Sequence, residues 1–88
     1  MDWDTREMSD KTILLMNTDG ANSLDYIVYT RTYYTGQNFV EVAAATLAPA
    51  AQARIALNNE YSRVIVQVID TVALSHATYQ IDWIGRKF

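Results

Sequence analysis

Residues 26–34, YIVYTRTYY, carry a β-branched or aromatic side chain at every position except Arg31. This composition favours an extended strand, whose successive side chains point to opposite faces. One face would hold Tyr26, Val28, Thr30, Thr32 and Tyr34, and the other Ile27, Tyr29, Arg31 and Tyr33. A small domain can bury one of these faces in its own core. Because the second face is also largely apolar or aromatic, something else has to cover it.

Five further runs with strand composition accompany this one. The six predicted strands cover residues 11–17, 24–34, 38–46, 53–58, 61–70 and 77–85. Turn-forming residues separate them, most clearly in NTDGANS at 17–23. Short strands at this spacing are typical of antiparallel sandwiches and barrels. Since 88 residues have room for one core, we predict a single domain, 1–88, folded as an all-β antiparallel β-sandwich of six or seven strands.

The last two predicted strands alternate most clearly. In 77–85, one face carries Ala77, Tyr79, Ile81 and Trp83, and the other Thr78, Gln80 and Asp82. A period of two predicts a half-buried strand, with Trp83 in the core. In 61–70, Val64, Val66 and Val68 share one face, whereas the opposite face mixes polar residues with Ile65 and Ile69. The predicted strands 24–34 and 61–70 therefore both present apolar side chains on their two faces.

The segment 43–57, AAATLAPAAQARIAL, leaves alternatives open. Alanine favours helix, and a helix over about 49–58 could accept Pro49 in its first turn. Against this, Ala53, Ile55 and Leu57 alternate with Arg54 and Ala56, which suits a strand. Strand, loop and short helix all remain compatible with residues 49–58.

The composition excludes several classes of function. Charged residues make up 19% of the chain and apolar residues 50%, whereas a globular domain has about 25% charged residues. The seven basic residues are scattered and the net charge is −3, so we expect no nucleic-acid partner. The chain has no cysteine, which excludes disulfides and thiolate metal sites and suits an intracellular or virion protein. A low charge with a high apolar content indicates that part of the surface is covered by a partner.

The N-terminal residues do not predict a signal peptide. The first ten residues, MDWDTREMSD, are acidic and polar, unlike a signal peptide. Apolar runs elsewhere are too short to span a bilayer, so we expect no membrane partner. The chain starts at Met1 without a tag, which is what a complete small reading frame would give.

The residues available for chemistry are few. His76 is the only histidine, and no nucleophile motif surrounds any serine, so neither a catalytic dyad nor a triad is indicated. Glu41 and Asp82 lie on predicted strands, but the sequence does not bring them together as a glycosidase pair. NTDGANSLD has oxygen-bearing residues around a glycine yet lacks EF-hand spacing, so a hairpin turn is the better interpretation. We expect no enzyme activity, no catalytic residues, no cofactor and no metal.

The second apolar face is the strongest functional signal. Its candidate interface residues lie on two predicted strands: Ile27, Tyr29, Arg31, Tyr33, Ile65 and Ile69. Exposed strips of this kind mark interaction surfaces, and small domains without disulfides often gain stability by oligomerisation. Coverage by a neighbouring subunit is the hypothesis we favour. The alternatives are coverage by the chain's own loops and a carbohydrate-binding surface that uses Tyr29, Tyr33 and Tyr34.

The order of elements resembles that of small β-sandwich domains of unknown function in bacteriophage virion proteins and bacterial surface proteins. The resemblance rests on ILLMNTDG, the tyrosine-rich strand, YSRVIVQV and the closing YQIDWIGR, and it extends from Asp4 to Arg86. It implies a structural subunit, such as a capsid decoration or tail component, that binds itself and other structural proteins. It also implies localisation in the virion, after assembly in the host cytoplasm. It supplies no catalytic residues, and fold-level analogy is only a prior for function.

Overall fold

A computed structural model describes residues 1–31, 38–57, 63–72 and 76–87, and every regular element within them is a strand. The seven strands are β1 (Asp2–Asp4), β2 (Met8–Asn17), β3 (Leu24–Arg31), β4 (Asn38–Leu47), β5 (Gln52–Leu57), β6 (Arg63–Asp70) and β7 (Tyr79–Lys87). The prediction of an all-β antiparallel sandwich is confirmed. Predicted strand residues at 32–34, 58, 61 and 62 lie outside the described residues.

The strands form two antiparallel sheets. A four-stranded sheet has the order β1-β6-β3-β4, and a three-stranded sheet has the order β5-β2-β7. Strands β3 and β6 are therefore central in the first sheet, and β2 is central in the second. The outermost strands are β1 and β4 in one sheet and β5 and β7 in the other.

The core lies between the sheets and is filled by alternating side chains of both. One buried cluster contains Ile13, Val28, Ile55, Leu57, Val64 and Val66, and a second contains Leu15, Leu24 and Leu47. Tyr26, Val68 and Ile81 are partly buried and pack against both clusters. The faces expected to point inward in β3 and β6 do so. Each fully buried aliphatic side chain contributes about 1.5–3 kcal/mol to stability.

Residues 52–57 form strand β5, so the helical alternative for 49–58 is wrong. Ala53, Ile55 and Leu57 face the core while Gln52, Arg54 and Ala56 face solvent, as a period of two requires. The apolar face can be buried only in the extended form, and this burial overrides the helix propensity of alanine. A turn precedes the strand, with Ala50 at a φ of 61°.

The burial expected for Trp83 is wrong: 53% of this residue is exposed, and Tyr79 is 50% exposed. Trp83 lies opposite Ile13, which is fully buried, so its phase in the strand is the one predicted. Strand β7 is at the edge of its sheet and leaves Tyr79 and Trp83 half covered, whereas Ile55 and Leu57 on the other edge strand, β5, are buried. The Trp83 ring meets that of Trp3 on β1, with centroids 6.2 Å apart and planes tilted by 53°. This pair closes one side of the sandwich.

The 17–23 segment forms a hydrogen-bonded turn, but the hairpin interpretation is wrong, because the segment crosses from β2 in the three-stranded sheet to β3 in the four-stranded sheet and these strands do not pair. The Asp19 carboxylate accepts hydrogen bonds from the amides of Ala21 and Asn22, at 2.8 and 2.9 Å. These bonds hold the pKa of Asp19 below its usual value. The buried Asn17 side chain donates to the carbonyls of Asn22 and Leu47. The polar groups of this segment thus fix the chain reversal.

Candidate functional site

The candidate interface residues come together on the outer face of the four-stranded sheet. Ile27, Tyr29 and Arg31 lie on β3 in the phase opposite to the buried Val28 and Thr30. The described residues that form this face are Ile27, Tyr29, Arg31, Ile65 and Ile69, joined by Val40 of β4. We call it the Tyr29 face. Tyr33, the sixth candidate, lies outside the described residues.

One row of this face crosses all four strands in register. Tyr29 pairs with Ile65 on one side and with Val40 on the other, and Ile65 pairs in turn with Asp2 of β1. Val40 is 58% exposed, while Tyr29 and Ile65 are of intermediate exposure. Side chains directly opposite one another in antiparallel strands are within contact range. The row is therefore a continuous apolar strip with an acidic residue at one end.

Val40 is a member of this face that the sequence did not reveal. The pairing of β3 with β4 shifts register twice, between Tyr26 and Val28 and between Val28 and Tyr29. Such bulges change which residues of a strand share a face. In NFVEVAAATL, alternation alone does not identify the outward side chains. The sequence places Val40 within the predicted strand 38–46, but its face could be assigned only from the register of the pairing with β3.

Polar groups surround the apolar strip and contact one another within the chain. The Arg31 Nε donates to Asn38 Oδ1 at 3.1 Å, and the Tyr29 hydroxyl lies 3.4 Å from Gln67 Oε1. Arg63 and Asp2 form an exposed ion pair at 3.4 Å. Surface pairs of this type contribute at most about 1 kcal/mol. They are suited to orienting a partner more than to supplying affinity.

Asp25 ends the face near Ile69, its partner in the pairing of β3 with β6. Its Oδ1 accepts hydrogen bonds from the hydroxyls of Thr46 at 2.8 Å and Thr71 at 2.9 Å. These bonds tie β3 to β4 and to the residue that follows β6. Ile69 itself is 45% exposed. The apolar part of the face therefore ends against a fixed polar group.

The candidate catalytic residues His76, Glu41 and Asp82 are not assembled into a site. The amides of His76 and Ala77 donate hydrogen bonds to the Asp70 carboxylate, both at 3.0 Å. These bonds connect the end of β6 to the residues that precede β7. Glu41 is on the outermost strand β4 of one sheet, and Asp82 is on β7 of the other. Glu41 accepts a hydrogen bond from the buried Thr30 hydroxyl at 2.9 Å. The two carboxylates are not brought together as a catalytic pair.

Within the described residues, no three potential metal ligands cluster. The Asp4 carboxylate is bound by Arg6, whose Nε donates to Oδ1 at 3.0 Å and whose Nη2 donates to Oδ2 at 2.7 Å. These hydrogen bonds lower the pKa of Asp4. Residues 1–31, 38–57, 63–72 and 76–87 also contain no helix that is long and apolar enough to cross a membrane.

No protein-family model matches the chain. No curated protein matches it, and no solved structure does. The resemblance to virion β-sandwich domains therefore stays a prediction.

Proposed function

We propose that this protein is a non-enzymatic structural subunit of a larger assembly and that the Tyr29 face is its contact with a neighbour. The observation that carries the proposal is the continuous row Ile65–Tyr29–Val40 across the centre of an outer sheet face. Exposure of an outward row of apolar side chains to water is unfavourable, and the free energy falls when a partner covers the row. The Arg31 and Arg63 side chains at its margin supply polar groups for alignment.

The balance between buried and exposed apolar residues supports this proposal. In the part of the chain that the structure describes, nine hydrophobic residues form the buried core and nine large hydrophobic residues are exposed. A domain of 88 residues has a small core and correspondingly low stability. Covering the exposed residues with neighbouring subunits adds burial without lengthening the chain.

A bacteriophage virion is the assembly that we favour, with the protein as a capsid decoration or tail component. The order of elements from Asp4 to Arg86 and the low charged fraction of 19% support this choice. A subunit that is repeated on a lattice has the same neighbour at every position. One apolar face can therefore make the same contact in every copy. Assembly would take place in the host cytoplasm before the particle is released.

The experiment is a Tyr29→Glu substitution, followed by purification of native particles and detection of the chain in them by mass spectrometry. A carboxylate in a desolvated contact is strongly unfavourable, so we expect a folded variant that no longer joins the particle. Val72→Glu is the matched control: it also replaces an exposed apolar residue, 68% exposed and outside the row, and should be incorporated normally. If the Tyr29 variant joins the particle as well as the control does, the proposed contact is wrong.

A carbohydrate-binding module is the second candidate, supported by the half-exposed Trp83 beside Trp3. Exposed aromatic rings can stack on sugars, although they are also common at protein interfaces. A glycan array would test this function directly. Binding that is lost with Trp83→Ala but kept with Tyr29→Glu would favour the module over the structural subunit.

A further inference from the structure

The outer face of the three-stranded sheet is a second surface that carries apolar side chains. Its outward residues align in three rows across β5, β2 and β7: Gln52–Met16–Gln80, Arg54–Leu14–Asp82 and Ala56–Thr12–Ile84. Leu14, Met16 and Ile84 are 41%, 36% and 69% exposed. We call this surface the Leu14 face. It lies on the side of the sandwich opposite to the Tyr29 face.

The two ends of each row are chemically complementary. In the central row, Arg54 on β5 is a cation and Asp82 on β7 is an anion. In one outer row both ends are amides, and in the other a small side chain, Ala56, stands at one end and a large one, Ile84, at the other. Every row therefore has on β5 a group that can pair with the group on β7. The two ends of a row are separated by two strand spacings, about 10 Å, and no ion pair joins Arg54 to Asp82 within one copy.

A two-fold axis parallel to β2 would bring the complementary ends together between two copies. Such an axis places β5 of one subunit over β7 of the other and keeps every row at its own level. Arg54 then faces Asp82 of the partner subunit, and Ala56 faces Ile84 of the partner subunit. Leu14 and Met16 lie near the axis, where each meets its own counterpart. All three rows are matched by this single operation.

A two-fold axis perpendicular to the strands gives the opposite result. It places β5 over β5 and β7 over β7, and when the axis lies at the level of the central row, like charges at positions 54 and 82 face each other. Like charges that are brought together at an interface cost free energy and disfavour that arrangement. The charge pattern therefore favours one of the two symmetric ways of stacking the sheets.

We propose that the Leu14 face is a self-association interface, with a second copy of this chain bound about a two-fold axis parallel to β2. Isologous contacts of this kind are the commonest way in which protein subunits pair. No ion pair among the described residues involves Arg54 or Asp82, and Asp82 accepts one exposed hydrogen bond, from Gln80 Nε2 at 3.3 Å. The two charges can therefore be directed at a partner.

The dimensions of the face permit this contact. Packed sheets lie about 10 Å apart with their strands rotated by about 30°, so the axis is nearly parallel to β2, inclined to it by about 15°. At one strand spacing from the axis, this rotation displaces opposing residues by about 2–3 Å, which the long Arg54 side chain can span. The surface holds a hollow of about 320 Å³ that Leu14, Met16 and the flanking Gln52, Arg54, Gln80 and Asp82 help to line. The outer side chains of each copy therefore have space to enter the other.

The contact is small, so the dimer should be weak. Three strands and three rows cover far less than the ~800 Å² per partner of a standard stable complex. We expect a dimer that forms at high protein concentration and weakens as salt screens the exposed charges. In an assembly, such a contact gains strength by repetition. The inference does not depend on the proposed function, because it concerns the opposite sheet.

The experiment is sedimentation equilibrium over a concentration series for the wild type, Arg54→Glu, Asp82→Arg and the double reversal. Each single reversal places two pairs of like charges across the interface, and we expect the dimer Kd to rise at least tenfold. The double reversal restores opposite charges, and its Kd should return towards that of the wild type. An equimolar mixture of the two single variants should form a heterodimer, because both charge pairs are then attractive.

Two checks keep the result unambiguous. All four proteins should unfold at similar temperatures, because both side chains are exposed. Ile84→Lys replaces the large apolar side chain expected opposite Ala56 of the partner subunit by a charged one and should also raise the Kd. A wild type that is monomeric up to roughly 1 mM overturns the proposal. It is also overturned if the single reversals dimerise like the wild type or if the double reversal fails to recover.

Discussion

Trp83 has inward orientation but only partial cover at the β7 edge of its sheet. We expect Trp83→Ala to lower the free energy of unfolding by about 1–2 kcal/mol, well below the ~3–5 kcal/mol for a fully buried aromatic residue. Part of that loss comes from its contact with Trp3, since aromatic pairs contribute about 0.5–1.5 kcal/mol beyond burial. Urea unfolding of the variant measures the change.

Ile13→Ala is the matched control for this prediction. Ile13 lies directly opposite Trp83 on β2 and is fully buried, so its truncation should cost about 2–5 kcal/mol. The smaller residue should thus give the larger loss. A greater loss for Trp83 than for Ile13 would mean that the tryptophan is more deeply covered than its 53% exposure indicates.

The inward phase of Trp83 could be predicted from the sequence, but its burial could not. A period of two tells which residues share a face, and it correctly grouped Ile81 with Trp83. Burial also depends on where a strand lies in its sheet and on what the opposite sheet places over it, and both are set by pairings between distant segments. For the same reason the sequence could predict that Ile27 and Tyr29 share a face, but it could not predict that Val40 belongs to that face.

Among the elements, β1 is the one that the sequence analysis missed. Its three residues, Asp2–Asp4, are too few to show alternation, and two of them are aspartates, which are depleted in strands. Its position depends on pairing with β6, more than sixty residues along the chain, where Trp3 lies opposite Val64. The carbonyl of Met1 extends this pairing by accepting a 2.9 Å hydrogen bond from the Val66 amide.

Removing residues 1–4 tests the contribution of β1 to the four-stranded sheet. The Val66 amide would lose its hydrogen-bond acceptor and the edge of β6 would be exposed, so we expect its hydrogen exchange to accelerate at least tenfold beyond any global change. Exchange measured residue by residue by NMR reports this directly, because exchange follows local opening. The amide of Leu15, on the central strand of the other sheet, is the internal reference. Equal acceleration at both amides would show that β1 supports the whole fold and not one edge.

At the scale of the whole molecule, the sandwich has two outer faces with apolar residues and one core between them. The extents of 40 × 24 × 15 Å describe a flattened body whose broad sides are the two sheets. A subunit with contacts on both broad sides can connect neighbours in two directions. The Tyr29 face and the Leu14 face would then have separate functions, attachment to the assembly and pairing of copies.

This separation predicts that substitutions on the two faces act independently. The faces share no residues and are separated by both sheets and the core, and effects of distant substitutions usually add within about 0.5 kcal/mol. We expect Tyr29→Glu to leave the dimer Kd within about twofold of wild type, and Tyr29→Glu combined with Arg54→Glu to match Arg54→Glu alone. Sedimentation equilibrium of the four proteins completes the cycle. If Tyr29→Glu abolishes the dimer while Arg54→Glu does not, copies pair through the four-stranded sheet, and the Leu14 face has another partner or none.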